Sequence, residues 1–189
     1  MGKMKKSMLK KIGLVVFTML MVSAISFPAA YAGTAQEIDQ GADLALQKLY
    51  ESSPAAKELA KIAKGILIFP DIVKGGLIIG GQYGEGALRI GGKTTGYYKS
   101  VAASYGLQAG VQKFGYALFF MTDSSLEYLK KSEGWEIGVG PTLVVVDEGV
   151  ATSLTTTTAK SDIYAFFFSQ QGLMAGIGIQ GSKITRVEK

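Results

Sequence analysis

The sequence contains neither cysteine nor histidine. Without cysteine the chain can form no disulfide, no thiolate metal site and no lipidated cysteine of the bacterial lipoprotein kind. Without histidine it can form no Ser-His-Asp triad, no HExxH zinc site and no imidazole acid or base. A real excess of charge is missing too. Lys3, Lys5, Lys6, Lys10 and Lys11 precede the apolar run from Ile12 to Ala24, and Ala30-Tyr31-Ala32 supplies small residues at the two positions a signal peptidase inspects. This reads as a secretory signal peptide whose apolar region is too short for a comfortable membrane span. Residues 1–32 are expected to be removed, leaving a mature chain that begins at Gly33. That segment holds five of the 20 basic residues and none of the 15 acidic ones, so the remainder carries 15 of each. The basicity belongs to the export signal and gives no support for nucleic-acid binding. Residues 33–189 have the length of one domain with a real core.

What is present is a short helical start followed by many strands. Thr34-Ala35-Gln36-Glu37 fits a capping box, and Ile38, Ala42, Ala45, Leu46 and Leu49 recur at helical spacing up to about Glu51. Ser53-Pro54 then supplies an N-cap and a first-turn proline, and Gly65 a helix stop, so a second helix is expected over 54–64. On it Lys57, Lys61 and Lys64 stand at i, i+4 and i+7, a stripe of ammonium groups beside Leu59 and Ile62. Such a stripe serves either as a solvated face or as a contact with an anionic membrane surface. Next, Ile66 to Phe69 reads as a buried strand stopped by Pro70, Leu77 to Ile79 as a second apolar run, and Gly80 to Gly86 as a sharply curved corner.

Further strands are expected at 97–101, 105–111, 116–121, 135–139, 142–146, 151–157, 163–168, 173–179 and 183–187, with one helix begun by Ser124-Ser125-Leu126-Glu127. The fold class is α+β: two N-terminal helices packed on a strongly curved, mostly antiparallel sheet or barrel of about eight to ten strands, with one inserted short helix. Ile66, Ile68, Phe69, Ile78, Leu107, Val111, Leu118, Val144 and Ile177 are its expected core. The neighbouring rings of Tyr97-Tyr98, Phe119-Phe120 and Phe166-Phe167-Phe168 must point to opposite faces of their strands, with helices expected over the second face.

Enzyme and nucleotide motifs fail on inspection. Gly91-Gly92-Lys93-Thr94 lacks the earlier glycine of a phosphate loop and is better read as a turn, and the glycines from Gly80 to Gly86 lack dinucleotide-fold spacing. Ser104 lies between strands and has no histidine to take its proton. Asp147-Glu148-Gly149 reads as a hairpin turn. No catalytic residue, metal ligand, cofactor or nucleotide is expected.

Ala63-Lys64-Gly65-Ile66-Leu67-Ile68-Phe69-Pro70, Lys74-Gly75-Gly76, Gly80-Gly81-Gln82-Tyr83-Gly84-Glu85-Gly86, Ser104-Tyr105-Gly106-Leu107-Gln108-Ala109-Gly110 and Gly172-Leu173-Met174-Ala175-Gly176-Ile177 occur in this order. The series resembles the signature of the SYLF domain family, whose members bind lipid and, in some eukaryotic cases, actin and phosphoinositides. For an exported bacterial chain, the resemblance implies a non-enzymatic protein of the periplasm or cell envelope, or a secreted one. Its partners would be anionic phospholipids such as phosphatidylglycerol or cardiolipin, held by a local basic patch of Lys57, Lys61, Lys64 and Lys74. A second surface, Lys93 and Lys99 with Tyr97-Tyr98, is the fallback. The alternative is a structural or protein-interaction envelope protein with no lipid ligand.

Overall fold

The computed structural model describes residues 33–76, 79–105, 110–146, 151, 153–172 and 178–189, and Gly33–Lys189 forms one compact unit. The expected signal peptide, the Asp147-Glu148-Gly149 turn and the core positions Ile78, Leu107 and Ile177 lie outside the described residues. Helix α1 (Ala35–Ser52) begins where its capping box requires: the Thr34 hydroxyl accepts from the Glu37 N–H at 3.2 Å, and the Glu37 carboxylate accepts from the Thr34 N–H at 2.7 Å. The Thr34 N–H, together with the Thr34 hydroxyl donating to the same carboxylate at 2.9 Å, holds the Glu37 carboxyl below its ordinary pKa. Ile38, Ala42, Ala45 and Leu49 form the buried stripe of α1. Helix α2 (Pro54–Ala60) is capped by Ser53, whose hydroxyl accepts from the Ala56 N–H at 3.3 Å.

The second helix is shorter than its sequence pattern suggests. It ends at Ala60, and the Lys64 N–H already donates to the Phe120 carbonyl at 2.8 Å, so the sheet has captured the chain before a further helical turn can form. Of the two apolar residues beside the lysine stripe, Leu59 is buried and Ile62 is exposed.

Eight strands form one sheet among the described residues, in the order β5-β8-β3-β2-β1-β4-β7-β6. They are β1 (Gly65–Gly76), β2 (Ile79–Ile90), β3 (Lys93–Tyr105), β4 (Gly110–Phe120), β5 (Trp135–Glu136), β6 (Leu143–Val146), β7 (Ile163–Gly172) and β8 (Lys183–Val187). All pairings are antiparallel except β6 with β7. Helix α3 (Asp123–Lys131) follows β4 as expected, although its cap is Thr122, two residues before the serine expected to serve. The result is the mixed α+β architecture expected, with the sheet curled into a half-barrel. No strand forms among the described residues of the expected 151–157 stretch; a turn closes there instead, in which the Thr155 N–H donates to the Thr158 hydroxyl at 2.9 Å.

Two expectations in the glycine-rich stretch are corrected. Pro70 does not end a strand: β1 runs through it, and the registers of β1 with β2 and with β4 both shift around Pro70-Asp71. A proline inside a sheet is tolerated at such a bulge because it has no N–H to give to a ladder. Gly80 to Gly86 is not a corner but part of β2. Its glycines serve close approach: a Cβ on Gly84 would strike the Asp71 carbonyl, and one on Gly86 the Ile68 carbonyl. On the other side a Cβ on Gly115 would strike the Phe168 ring and lie 2.7 Å from the Pro70 carbonyl. The Gly91-Gly92 turn, with φ of 57° and 79°, joins β2 to β3 as a tight hairpin.

Curling gives the sheet two different faces. The inner face gathers Leu67, Phe69, Ile72, Leu88, Tyr98, Phe114, Tyr116, Leu118 and Phe120 with Leu126 and Leu129 of α3 and Trp135. The Phe69 and Tyr116 rings meet at 4.8 Å between centroids, tilted by 33°, a contact of about 0.5–1.5 kcal/mol beyond area burial. The outer face places Ile66, Ile68, Ala87, Ala117, Phe119, Phe166 and Phe168 under α1 and α2. Neighbouring aromatics thus alternate between the two cores. Of the expected core, Ile66, Ile68, Phe69 and Leu118 are buried and Val144 partly so, but Val111 is 66% exposed. Val111 sits on the outer face beyond the helices.

Gly86→Ala is expected to lower the unfolding free energy by about 2 kcal/mol or more, because its Cβ meets backbone that cannot move aside. Gly75→Ala, whose Cβ finds only ordinary contacts at 3.8 Å, is expected to cost less than about 1 kcal/mol. Urea denaturation of the two variants checks the difference.

Candidate functional site

Helix α1 is fastened to the sheet by Asp39. Its carboxylate accepts from the Thr94 hydroxyl at 2.6 Å and the Tyr97 hydroxyl at 3.0 Å, and Arg89 lies 3.5 Å away. Arg89 also donates to the Asp39 carbonyl at 3.1 Å and to Asp43 at 2.7 Å. Burial, then the hydrogen bond to Asp39, raises the Tyr97 pKa. This anchor positions a cleft of about 420 Å³ among α1, the end of α2, the start of β1 and the β2–β3 turn. Leu46, Tyr50, Ala60, Ala63 and Ile66 give it apolar walls, while Lys61 and Arg89 supply cations. Burial raises the Tyr50 pKa, so its phenol stays neutral. Arg89 Nε is buried without a hydrogen-bond partner, and Asp43, the cleft's carboxylate, is occupied by Arg89.

Of the four expected lysines only Lys61 lines the cleft, with Lys57 one helical turn before it and Lys64 three residues after it in the chain. Lys57 is exposed and has no ion-pair partner among the described residues. Lys61 bonds Glu58 at 2.6 and 2.8 Å, and Lys64 lies 3.6 Å from Asp123. Both pairs are exposed, and such pairs contribute only a few tenths of a kcal/mol to about 1 kcal/mol, so neither carboxylate holds its lysine strongly. Lys74 does not join them. It is 7% exposed on the inner face of the sheet, opposite the face that carries α2. Of the fallback group, Lys93 is exposed, Lys99 half-buried, Tyr97 tied to Asp39 and Tyr98 in the inner core.

Sequence reasoning named Lys61 but not Arg89, Tyr50 or the cleft itself. Leu46 was legible through helical periodicity, but the cleft assembles from segments near residues 43–50, 60–66 and 89–92 that no local pattern connects. The chemistry it offers is binding: apolar surface beside two cations, with no nucleophile paired to a base in its lining.

A protein-family model described as "Ysc84: Las17-binding protein actin regulator" matches residues 101–189. This match to the Ysc84 (SYLF) domain family over residues 101–189 agrees with the resemblance carried by the sequence motifs. No curated protein matches the chain. The Ysc84 domain is associated with lipid and actin binding and is not known as an enzyme family. The matched segment runs from the end of β3 to β8 and includes α3, whereas the cleft is built from residues before it. Among the described residues no helix is long and apolar enough to cross a membrane.

Asp39→Asn is expected to destabilise the protein by about 1–3 kcal/mol, since it weakens the charge-assisted hydrogen bonds that seat α1 and reduces the compensation of Arg89. Thermal unfolding followed by circular dichroism checks this.

Proposed function

We propose that the protein is a non-enzymatic component of the bacterial cell envelope, exported by its signal peptide, that binds anionic phospholipid head groups. The observation that carries the reading is the apolar-walled cleft lined by Lys61 and Arg89, with the exposed Lys57 and Lys64 close to Lys61 in the chain. A phosphodiester suits the ammonium groups, and the first carbons beneath it suit Leu46, Ala63 and Ile66. The family's association with lipid supports the same reading at a coarser level.

Export has its own physical support at Gly33. The Gly33 N–H donates to Glu85 at 2.9 Å, and Lys189 donates both to Glu85 at 3.0 Å and to the Gly33 carbonyl at 2.8 Å. Cleavage after Ala32 would turn that N–H into an ammonium group facing a largely buried carboxylate, converting a hydrogen bond into a charge pair. Residues 33–189 with a free amine are expected to melt higher than the same chain acetylated at Gly33. Equal melting temperatures, or an envelope protein whose N-terminus is still Met1, would contradict this.

Sedimentation with vesicles tests the lipid reading. The mature protein is expected to co-sediment with phosphatidylglycerol-containing vesicles, to bind phosphatidylcholine vesicles weakly, and to lose affinity as salt rises, because exposed charges are screened over about 8 Å at physiological ionic strength. Replacing Lys57, Lys61 and Lys64 together by glutamine is expected to weaken binding by about 3 kcal/mol at most, at roughly 1 kcal/mol per lysine. Binding to neither vesicle would favour the alternative, a structural or protein-interaction role in the envelope.

A further inference from the structure

At the end of the strands farthest from the helices, the usual polarity of a sheet is reversed. On the outer face the register places Val101, Tyr83 and Val73 side by side, and beyond them Ala103, Gly81, Gly75 and Val111, then Ile79. Val73, Ile79, Val101 and Val111 are exposed, and neither α1 nor α2 reaches them. On the inner face of the same strands, Gln82, Lys74 and Gln112 form a row across β2, β1 and β4, and all three are buried. Gln82 donates to the Ser182 hydroxyl at 2.8 Å, while the buried Gln112 Oε1 has no partner. No ion pair holds Lys74 among the described residues.

Polar inward and apolar outward is the pattern of strands that face hydrocarbon. We propose that this end of the sheet inserts into the hydrocarbon of one leaflet of an anionic phospholipid bilayer. A protein docked on the outer row would explain exposed valines but gives no reason for the inner row to be polar. A hydrocarbon surround explains both, because the polar side chains are then kept on the side of the sheet turned away from lipid.

Charge placement fits the same occupant. Between the helix-covered zone and the bare one lie Lys99, Glu85 and Asp71, and Asp71 pairs at 2.9 Å with Lys113 of the first bare row. Lys183 and Lys113 flank the Val101-Tyr83-Val73 row at its two ends. Lysines and a tyrosine at that level suit the head-group boundary. Burial and Glu85 push the Tyr83 phenol up to about 12, so it enters the boundary neutral.

Depth and backbone chemistry agree. From Val73 to Gly76 is about 10 Å at 3.3 Å per residue, less than the ~15 Å of one hydrocarbon leaflet. Over that length the N–H and C=O groups of β1 are paired on both sides, with β2 to Gly80 and with β4 to Gly110, as hydrocarbon requires. The cleft stands at the opposite end of the same strands, so the two lipid contacts do not compete for surface.

The inference rests on the lipid-binding reading above, and one experiment separates the two. Val73→Asn, Ile79→Asn and Val111→Asn are combined, which leaves net charge unchanged, and partition onto phosphatidylcholine vesicles containing phosphatidylglycerol is compared with the parent. At least a tenfold loss, in a variant that keeps the parent's circular dichroism, is the expected result. Parent and variant binding equally would overturn the insertion while leaving the cleft reading standing, and a parent that binds no vesicle would overturn both. Since the chain lacks cysteine, Val111→Cys and, as control, Leu44→Cys on α1 each take a single environment-sensitive dye. A blue shift on adding vesicles is expected at position 111 and not at 44, and no shift at 111 would overturn the proposal even if the triple variant failed to fold.

Discussion

Everything in this fold depends on how closely the backbones of β1, β2 and β4 approach one another around Pro70-Asp71. Proline forces a bulge there, and the positions facing it, Gly84, Gly86 and Gly115, have no room for a Cβ. Sheets accumulate twist gradually, and a local bulge concentrates it. Here the bulge curls the sheet enough that its inner face closes on its own aromatic residues, with Tyr116 reaching from β4 to donate to Ser100 of β3 at 2.8 Å. One helix, α3, and Trp135 complete that core. The outer face is left convex, and two short helices cover only the half nearest their own attachment.

That incomplete cover creates both proposed lipid-contact surfaces. Where α1 and α2 meet the strand ends, their packing stops short of the β2–β3 turn and leaves the cleft beside Arg89 and Lys61. Where they do not reach, apolar positions remain in the open behind a charged belt. The proposed head-group binding at one end and the proposed insertion at the other both trace to one geometric fact, the mismatch between strands of eleven to thirteen residues and a helix cap that does not cover their full length.

Much of the architecture was legible because it is written locally. Thr34 with Glu37, and Ser53 with Pro54, announce helix starts by hydrogen-bonding logic that needs no tertiary contact. Paired aromatics announce a two-faced sheet. What could not be read depends on partners distant in sequence: Lys64 leaves its helix because Phe120 claims its backbone, and Pro70 stays within a strand because neighbours on both sides bulge with it. Glycines that look like a bend are in fact a strand pressed against carbonyls. Val111 has the sequence of a core residue and the position of a surface one, and Lys74, grouped by sequence with the other lysines, lies on the opposite side of the sheet.

Hydrogen–deuterium exchange of the mature protein, with and without phosphatidylglycerol-containing vesicles, tests the central claim that this half-barrel meets lipid at the ends of its strands. Added protection is predicted at residues 73–76, 79–83 and 110–113 and at the lysine-bearing stretch 57–64, with β7 and α3 unchanged. Protection confined to β7 and α3, or no change anywhere at saturating lipid, would contradict it.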